Sequence, residues 1–460
     1  MAMVVKNNMS AVNTLNTLNK NQSELSKSLQ KVSSGMKINS AGDDASGMAI
    51  SERMRVQVRA LDQDDMNTNN GSALLRTAEG AVQSTIEVLK TLKDKAINAA
   101  NDTNTDEDRA LIQKEVDRLI DQIDENALTT YNGKYLIDGS RNGLVVGETG
   151  LGTQTSFTNM SLATNTHGLT RLDRLKRRDG NDVGIHSSDT LTASWVKNGV
   201  TYTGTLSPIG SGTITNMISL ITSQHASLHS LGSDVGVDEY GRTVYTPDNQ
   251  PALTIRAFGE GVDGQVTAIT FSVTDKSGKM RNEVNAVLDD FRETVRAQNP
   301  SPDNSLILQT GTRANQAVKI GFTDMRSVAL GLQSSDGKGW NRTLPPPTPP
   351  VTIDVVGAGP KVQVTTKEAA NAAINVFENA LIRATDQAVA IGAAQNRLSF
   401  TSNNLVVASE NVQASESTIR DSDMAKEMTA YTKNNVLTQS AQAMLAQANQ
   451  NSSAVLSLLQ

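Results

Sequence analysis

The sequence predicts an α+β protein in which helices at the two ends of the chain enclose a β-rich insertion. Near the amino terminus, apolar residues recur at alternating intervals of four and three, which is typical of a helix that packs along a seam. Helical spacing returns from residue 367 and continues to the end of the chain. Between about 139 and 300 the chain is rich in Gly, Ser and Thr, with short alternating runs typical of strands. We therefore expect the terminal segments to pair as a long antiparallel helical bundle or coiled coil.

The first helix carries an apolar seam that needs a partner. Isolated helices are marginal in water, whereas burial of one large aliphatic side chain contributes roughly 1.5–3 kcal/mol. A helix with such a seam therefore gains stability by packing against another helix. The seam residues are Ala11, Leu15, Leu18, Gln22, Leu25, Leu29, Val32 and Met36.

The last segment of the chain carries no charge. Lys433 is the final charged residue, although loose tails usually carry charge and little apolar surface. We expect this segment to pack against the first helix and against neighbouring copies of the chain; an ordinary intramolecular coiled coil is the alternative. The residues expected to drive self-assembly are Leu15, Leu18, Leu25, Leu29, Val32, Leu437, Met444, Leu445, Val455, Leu456 and Leu459.

A short connector follows the first helix. Residues 33–44 are rich in helix-stop and helix-cap residues, among them Gly35, Asp43 and Asp44, and Arg53 comes soon after. Such a composition predicts an ordered connector. The charged residues either cap helices and face solvent or contact another copy of the chain, and the sequence leaves both interpretations open.

The remaining elements follow from local patterns. Helical spacing covers residues 75–99 and 105–127, and Thr105 with the acidic residues after it marks the start of the second of these helices. The pair Asn132-Gly133 predicts a hairpin. The other expected elements are strands at 190–196, 253–257 and 266–273, helical patches at 214–221 and 282–297, a hairpin and turn at 306–332, and a Pro-rich linker at 333–360.

Composition excludes several functional classes. The net charge is −6 and the pI is near 5.4, so the basic footprint of a nucleic-acid-binding protein is missing. No run of apolar residues is long enough for a membrane span, and we expect no membrane insertion. The first residues lack the pattern of a cleaved secretory signal. Because the chain has no cysteine, disulfides and thiol chemistry are excluded.

Several motifs at both ends resemble those of bacterial flagellins. Residues 32–50 read VSSGMKINSAGDDASGMAI, which is similar to the amino-terminal flagellin signature. The carboxy-terminal signature is matched by Asn396-Arg397-Leu398, by IRDSDMA at 419–425 and by LAQANQ at 445–450. The segment from Leu308 to Leu332 resembles the return from the flagellin outer domains.

The resemblance implies a structural subunit that polymerises into the flagellar filament for motility, with neither catalytic residues nor a cofactor. It implies an inner helical tube from residues 1–40 and 420–460, a rod from 41–140 and 305–419, and an outer domain from 141–304. The implied partners are further copies of the chain, an export chaperone on the carboxy-terminal helix, and the filament cap and hook-junction proteins. The implied location is extracellular, reached by type III export. A hook-filament junction protein is the alternative.

A metal-binding or peptidase outer domain is a further alternative, because some flagellins carry a metallopeptidase there. All four histidines, His167, His186, His225 and His229, lie in the middle of the chain. The last two have the i, i+4 spacing that places two ligands on one helix face. A zinc peptidase needs Glu directly after the first of them, where this chain has Ala226. We therefore expect no metal site. The basic residues Arg171, Arg174, Lys176, Arg177 and Arg178 are expected to form a solvated loop, with an anionic surface as the alternative partner.

The resemblance also bears on recognition by a host. Flagellins recognised by the Toll-like receptor carry an arginine in a stretch that matches residues 89–96 here. In this chain the stretch begins with Leu89, Thr91 stands in the arginine position, and Lys95 replaces an apolar residue. We therefore expect this chain to be a weak receptor ligand.

Overall fold

The computed structural model describes residues 8–148, 150–222, 226–334 and 360–457, and only the backbone at 222, 226–231, 452 and 454–457. The helices are α1 (Met9–Ser34), α2 (Ala45–Ala99), α3 (Asp106–Ala127), α4 (Ile214–Thr222), α5 (Gly261–Gly264), α6 (Asn282–Leu288), α7 (Lys367–Arg420) and α8 (Met424–Ser457), with a 3₁₀ turn at Leu172–Arg174. The strands are β1 (Thr130–Tyr131), β2 (Lys134–Tyr135), β3 (Leu144–Val145), β4 (Ser156–Asn159), β5 (Thr190–Lys197), β6 (Val200–Leu206), β7 (Ala226–Gly232), β8 (Asp234–Val237), β9 (Thr243–Tyr245), β10 (Ala252–Ala257), β11 (Val266–Thr274), β12 (Phe291–Val295), β13 (Ser301–Pro302), β14 (Leu306–Gln309) and β15 (Ala317–Ile320).

The predicted α+β class is confirmed, and the chain divides into two compact units. The first comprises residues 1–68, 309–316 and 400–460, and the second comprises 69–308 and 317–399. Within the described parts of the chain, no helix is both long and apolar enough to cross a membrane. The finer division into tube, rod and outer domain stays a prediction.

Helix ends lie where cap chemistry places them. Gly35 ends α1 with φ +70°, in the left-handed region that favours glycine, and its N–H donates to the carbonyl of Lys31 at 2.9 Å. Thr105 and Asp108 form a capping box at the start of α3, as the sequence indicates. The helical pattern after residue 367 is interrupted, because Asp423 accepts hydrogen bonds from the N–H groups of Ala425 and Lys426 and so starts a separate helix.

The helical core of the second unit is aliphatic. The parts of α2 and α7 in this unit pack with α3 in one cluster. The residues of this cluster that are fully buried include Leu75, Ala78, Val82, Leu89, Leu92, Ala96, Val116, Ile120, Ile123 and Phe377. The apolar residues that gave the predicted helical spacing at 75–99 and 105–127 are therefore residues of this core.

A second apolar cluster lies under two antiparallel sheets in the β-rich insertion. One sheet has the order β12-β4-β10-β7 and the other has the order β11-β5-β6. The helix predicted over 282–297 is wrong in its second half, where α6 ends at Leu288 and β12 pairs with β4. The hairpin predicted at 306–332 is formed by β14 and β15. Most of the predicted Pro-rich linker, residues 335–359, lies outside the described residues.

A buried ion pair ties the insertion to α7. The guanidinium of Arg383 contacts the carboxylate of Glu293 on β12, and it also donates to the carbonyl of Ala329 at 2.8 Å. Only 5% and 9% of the two charged side chains are exposed. Removal of one member of such a pair leaves an uncompensated charge in the interior, which makes these two residues a strong mutual constraint.

We expect Arg383→Met to lower the free energy of unfolding of the protein by about 3–5 kcal/mol, because Glu293 would stay buried without a cation. Urea unfolding followed by circular dichroism measures this. The matched control is Lys90→Met, which breaks the exposed pair Lys90–Glu87 and should change the free energy by about 0.5 kcal/mol at most. Equal midpoints for the two variants would contradict the prediction.

A buried carboxyl gives the fold a pH dependence. Burial raises the pKa of Asp289 to about 6, although hydrogen bonds from the N–H of Phe271 and the side chain of Asn375 favour its charged form. Between about pH 4 and pH 6 the folded protein thus binds more protons at this group than the unfolded chain does, so this group's contribution to stability falls as pH rises. Above about pH 6 the buried carboxylate is a constant cost.

We expect Asp289→Asn to stabilise the protein at pH 7 by about 3 kcal/mol, because the amide stays neutral. Thermal unfolding between about pH 4 and pH 7 should show a flatter dependence on pH for this variant than for the parent chain. Asp94→Asn, which changes an exposed carboxyl on α2, should leave the slope unchanged. A parallel slope for Asp289→Asn would refute the assignment.

Candidate functional site: the paired ends of the chain

The two ends of the chain pack as antiparallel helices. As the residue numbers of the contacting positions on α1 increase, those of their partners on α8 decrease, so the two helices run antiparallel. The uncharged part of this pairing is joined by side-chain amides, and one ion pair lies near the connector. The polar contacts are Asn8 Nδ2 to Ala448 O at 3.1 Å, Asn21 Nδ2 to Leu437 O at 3.3 Å, Asn434 Nδ2 to Ser28 Oγ at 3.0 Å and Lys31 Nζ to Glu427 Oε1 at 3.9 Å.

The less exposed face of each helix follows a strict alternation of three and four. On α1 this face consists of Ala11, Thr14, Leu18, Asn21, Leu25, Ser28 and Val32. On α8 it consists of Glu427, Tyr431, Asn434, Thr438, Ala441, Leu445 and Ala448. Small side chains dominate on α8, where Thr438, Ala441 and Ala448 are buried. Small residues allow close approach of the two helices, and one seam of each helix is thereby covered.

The predicted seam is rotated relative to the observed one. Leu18, Leu25, Val32 and Leu445 lie on the contact face, as expected. Leu15 and Leu29 do not, because Thr14 and Ser28 take their places. The cause is an excess of apolar residues, since α1 carries more of them than one partner helix covers, and spacing alone does not rank the faces.

Large apolar side chains therefore stay exposed on both helices. Leu15 is 44% exposed, Leu29 is 51% exposed, Leu437 is 41% exposed and Met444 is 63% exposed. Large apolar side chains that stay exposed on two paired helices are typical of interaction sites. The sequence prediction missed Met9, Val12 and Val436, which are also exposed and belong to the same two helices. The side chains of Val455 and Leu456 are not described, and Leu459 lies outside the described residues.

The connector joins the end of α7 through backbone hydrogen bonds. The N–H of Lys37 donates to the carbonyl of Arg420 at 2.7 Å, and the N–H of Ser422 donates to the carbonyl of Gly35 at 3.0 Å. Arg420, which is 8% exposed, also pairs with Glu52 at 2.6 Å. The turn after α1 and the turn before α8 are thus held together as one ordered junction.

The two aspartates of the connector act as caps. Asp43 Oδ2 accepts hydrogen bonds from the N–H groups of Asn39 and Ser40, and Asp44 Oδ1 accepts them from Ser46 and Gly47 at the start of α2. These backbone donors hold the pKa of both carboxyls below the usual value. Arg53 is exposed and forms no ion pair with a described residue. The single chain therefore uses both aspartates locally and leaves Arg53 for solvent or another molecule.

The segment compared with receptor-binding flagellins lies on α2. Leu89 is fully buried, whereas Thr91 is exposed and its hydroxyl donates to the carbonyl of Glu87 at 3.0 Å. Lys95 forms an ion pair with Glu115 of α3 at 2.8 Å. The exposed surface here is thus polar at Thr91 and occupied by an ion pair at Lys95.

His167 and His186, the two histidines whose side chains the structure describes, belong to no shared set of metal ligands. His229 lies in strand β7, so the helical spacing assumed for it is wrong, and His225 lies outside the described residues. The ring of His167 contacts Thr170, and the ring of His186 lies 3.8 Å from Asp189. Among the residues that the structure describes, no group of three His, Cys, Asp or Glu side chains is placed to hold a metal ion.

Known proteins match the chain at both ends and along its length. The model of the bacterial flagellin N-terminal helical region matches residues 5–142, and that of the C-terminal helical region matches residues 374–459. The chain is 33% identical to a flagellin of Clostridium tyrobutyricum, over 97% of this chain and 99% of that protein. It is 31% identical to polar flagellin C of Vibrio parahaemolyticus, over the full length of both.

A solved structure of FliC from Burkholderia pseudomallei matches 71% of this chain and 99% of its own at 18% identity, with a TM-score of 0.26, which is too low to indicate a shared overall arrangement. The two family regions coincide with the helices that pair the chain ends, and the full-length relatives include the β-rich insertion. The chain belongs to the bacterial flagellin family, whose members are the structural subunits of the flagellar filament.

Proposed function

We propose that this chain polymerises into the flagellar filament through the apolar side chains that α1 and α8 leave exposed. The observation that carries the proposal is the uncovered surface at Leu15, Leu29, Leu437 and Met444 on two helices that are already paired. In a lone chain this surface contacts water, at a cost of about 25 cal/mol for each Å² of apolar area. Neighbouring copies of the chain remove that cost.

The geometry of the pair suits a polymer. One seam of each helix is used inside the chain, and different faces are left for other copies, so the contact between copies is heterologous. A heterologous contact whose rotation does not close forms an open helical filament. In the filament, residues 1–40 and 420–460 form the inner tube, residues 41–140 and 305–419 form the rod, and residues 141–304 face outward.

We further infer from membership of the family how the chain is exported and which partners it meets. The chain is exported without a cleaved signal through the flagellar type III channel, and it is extracellular once assembled. An export chaperone covers the carboxy-terminal helix before assembly, and the cap and hook-junction proteins contact the ends of the filament. The chain has no enzymatic activity of its own. A junction protein is the alternative, and the full-length likeness to proteins named flagellins favours the filament subunit.

We expect the full chain, incubated with filament seeds, to form long tubes visible by electron microscopy, and a chain ending at Lys433 to form none. The truncation removes all of α8 beyond its last charged residue and with it the exposed Leu437 and Met444. Short rings or monomers from the full chain would instead favour the junction protein.

A paired substitution separates assembly from folding. Leu437→Glu with Met444→Glu should abolish tubes and preserve the helical circular dichroism signal, because both side chains are exposed in the single chain. The matched control, Leu437→Met with Met444→Leu, keeps the apolar area and should assemble like the parent. Tubes from the glutamate variant would exclude these two positions from the interface.

We also propose that the chain is a weak ligand of the host Toll-like receptor. Thr91 offers no cation, and Lys95 is held by Glu115. In receptor reporter cells the purified monomer should give a much smaller response than a stimulatory flagellin at equal concentration. Thr91→Arg should raise the response, whereas Thr91→Gln, of similar length and no charge, should not. A full response from the parent chain would refute the proposal.

A further inference from the structure

The four-stranded sheet of the insertion has two ends of different chemistry. Strand β4 pairs with β12 so that Ser156 lies opposite Val295 at one end and Asn159 lies opposite Phe291 at the other. The chain leaves β4 past Asn159 toward the basic segment predicted from the sequence. The residues that follow β12 past Val295 lead into a cavity. The two features are therefore at opposite ends of one sheet.

The cavity has a volume of about 820 Å³, and we call it the acidic groove. It lies beside Thr294, Val295 and Arg296, between the turn after β8 and one face of α7. Four carboxylates line it, from Asp238, Glu239, Asp303 and Asp386, against the two cations Arg296 and Lys319. The wall of the groove is thus net negative.

Not all of this charge is compensated within the groove. Arg296 pairs with Asp386, Lys319 pairs with Asp303 at 2.9 Å, and Arg242, which is not part of the lining, pairs with Asp238 at 2.8 Å. Glu239 accepts a hydrogen bond from Gln298 Nε2 at 3.0 Å but forms no ion pair with a described residue. Next to it, Tyr240 is 55% exposed at the rim of the groove.

A buried amide in the wall also lacks a partner. Gln387 is 3% exposed, and its Oε1 accepts a hydrogen bond from the N–H of Thr323 at 3.0 Å, which fixes the orientation of the amide. Its Nε2 finds no acceptor among the described residues. A buried donor without an acceptor costs about 1–3 kcal/mol, and a backbone carbonyl of an entering segment, admitted by a small shift of the wall, removes that cost.

The opposite end of the sheet carries the basic loop, which we define as residues 171–178. The loop is fixed to the chain after β4, since the N–H of Arg178 donates to Ser161 O at 2.9 Å and the N–H of Ala163 donates to Lys176 O at 3.0 Å. Arg171 pairs with Asp173 at 2.7 Å, and Arg178 pairs with Asp248.

The other cations of the loop are less well compensated. Arg174 and Lys176 are exposed and form no ion pair with a residue in the described ranges. The buried Nε of Arg177 has no hydrogen-bond partner there. The basic loop is therefore an ordered, net positive surface at one end of the sheet, which goes beyond the solvated loop expected from its composition.

We propose that the basic loop of one subunit docks into the acidic groove of the next subunit, so that the insertions form a head-to-tail row along the filament. The proposal rests on the filament function. Loop and groove are separated by the length of β4, roughly 13 Å at 3.3 Å per residue, and by the segments beyond it, so they do not meet within one chain. Opposite charge at opposite ends gives a contact that repeats without closing.

The contact between one basic loop and one acidic groove is weak, whereas the many such contacts along a filament are strong together. A pair of exposed charges contributes little alone and is screened by salt. In a filament already held by the terminal helices, loop and groove of adjacent subunits are at high effective concentration, so weak contacts add along the polymer. The row should stiffen the outer layer and depend on ionic strength.

The absence of cysteine allows a direct test by cross-linking. The variant Asn181→Cys with Val244→Cys places one thiol beside the basic loop and one in the groove wall, and it keeps every charge named above. Filaments of this variant, first verified by electron microscopy, should give on mild oxidation a ladder of multimers in non-reducing gels. The unassembled chain should give none. The control Asn181→Cys with Leu111→Cys, whose second thiol is exposed on α3, should give no ladder.

Charge exchange is the second measurement. Lys176→Glu should raise the rate of filament disassembly at low salt by about tenfold, Glu239→Lys should do the same, and the double variant should recover the parent rate. Purely additive effects, or verified filaments without a ladder, would overturn the proposal. Binding of the parent monomer to phosphatidylglycerol vesicles, lost in Lys176→Glu without any change in disassembly, would assign the loop to an anionic surface instead. Loss of filaments in the chain that ends at Lys433 tests only the role of the terminal helices in assembly, so it does not bear on the contact between loop and groove.

Discussion

The antiparallel pairing of α1 with α8 is the constraint on which the rest of the molecule depends. Because the two ends of the chain lie side by side, every other element is inserted between α1 and α8, the two helices of one helical hairpin. The junction of Gly35, Lys37 and Arg420 closes this hairpin with backbone hydrogen bonds. Material added between α3 and α7 therefore enlarges the protein without changing how its ends meet. This accounts for a chain whose middle has its own sheets and its own apolar core.

The proposed packing of the paired helices among other copies explains why α8 carries no charge beyond Lys433. A helix that contacts one partner tolerates a charged outer face, whereas a helix surrounded by partners has no solvated side on which a charge is free of cost. The described part of α8 beyond Lys433 has amide, hydroxyl and methyl groups on all sides. Such groups form hydrogen bonds with neutral partners: the carbonyl of Leu437 accepts one from Asn21 of α1, and Asn434 donates one to the hydroxyl of Ser28. The charged residues are concentrated instead near the connector, where the ion pair of Lys31 with Glu427 and that of Arg420 with Glu52 lie.

The sequence predicted much of the fold because its strongest signals are local. The heptad-like spacing of α1, the cap at Thr105 and the pair Asn132-Gly133 each report a short-range preference, and each prediction is matched by an element. The rotation of the seam from Leu15 to Thr14 was not predictable, because it depends on how closely the small residues of α8 allow the helices to approach. The end of α6 and the start of β12 were missed for a related reason, since pairing with β4 overrides a helical period. The basic loop was recognisable only as composition and the acidic groove not at all, because their placement at two ends of one sheet is a property of the folded insertion.

The anchor at Arg383 has a mechanical consequence. A filament turning in a viscous medium experiences drag mainly on its outermost mass, and that load reaches the shaft only through whatever fastens the outer mass to the rod helices. Here the fastening is the guanidinium of Arg383, held by the carboxylate of Glu293 on β12 and by the carbonyl of Ala329, and both charged side chains are almost fully buried. Pulling this joint open exposes two charges at once, so resistance is concentrated at the first small displacement. The outer mass should therefore rotate rigidly with the shaft of the filament. A weakened ion pair at Arg383 should reduce the torque transmitted between the shaft and the outer mass before it causes unfolding.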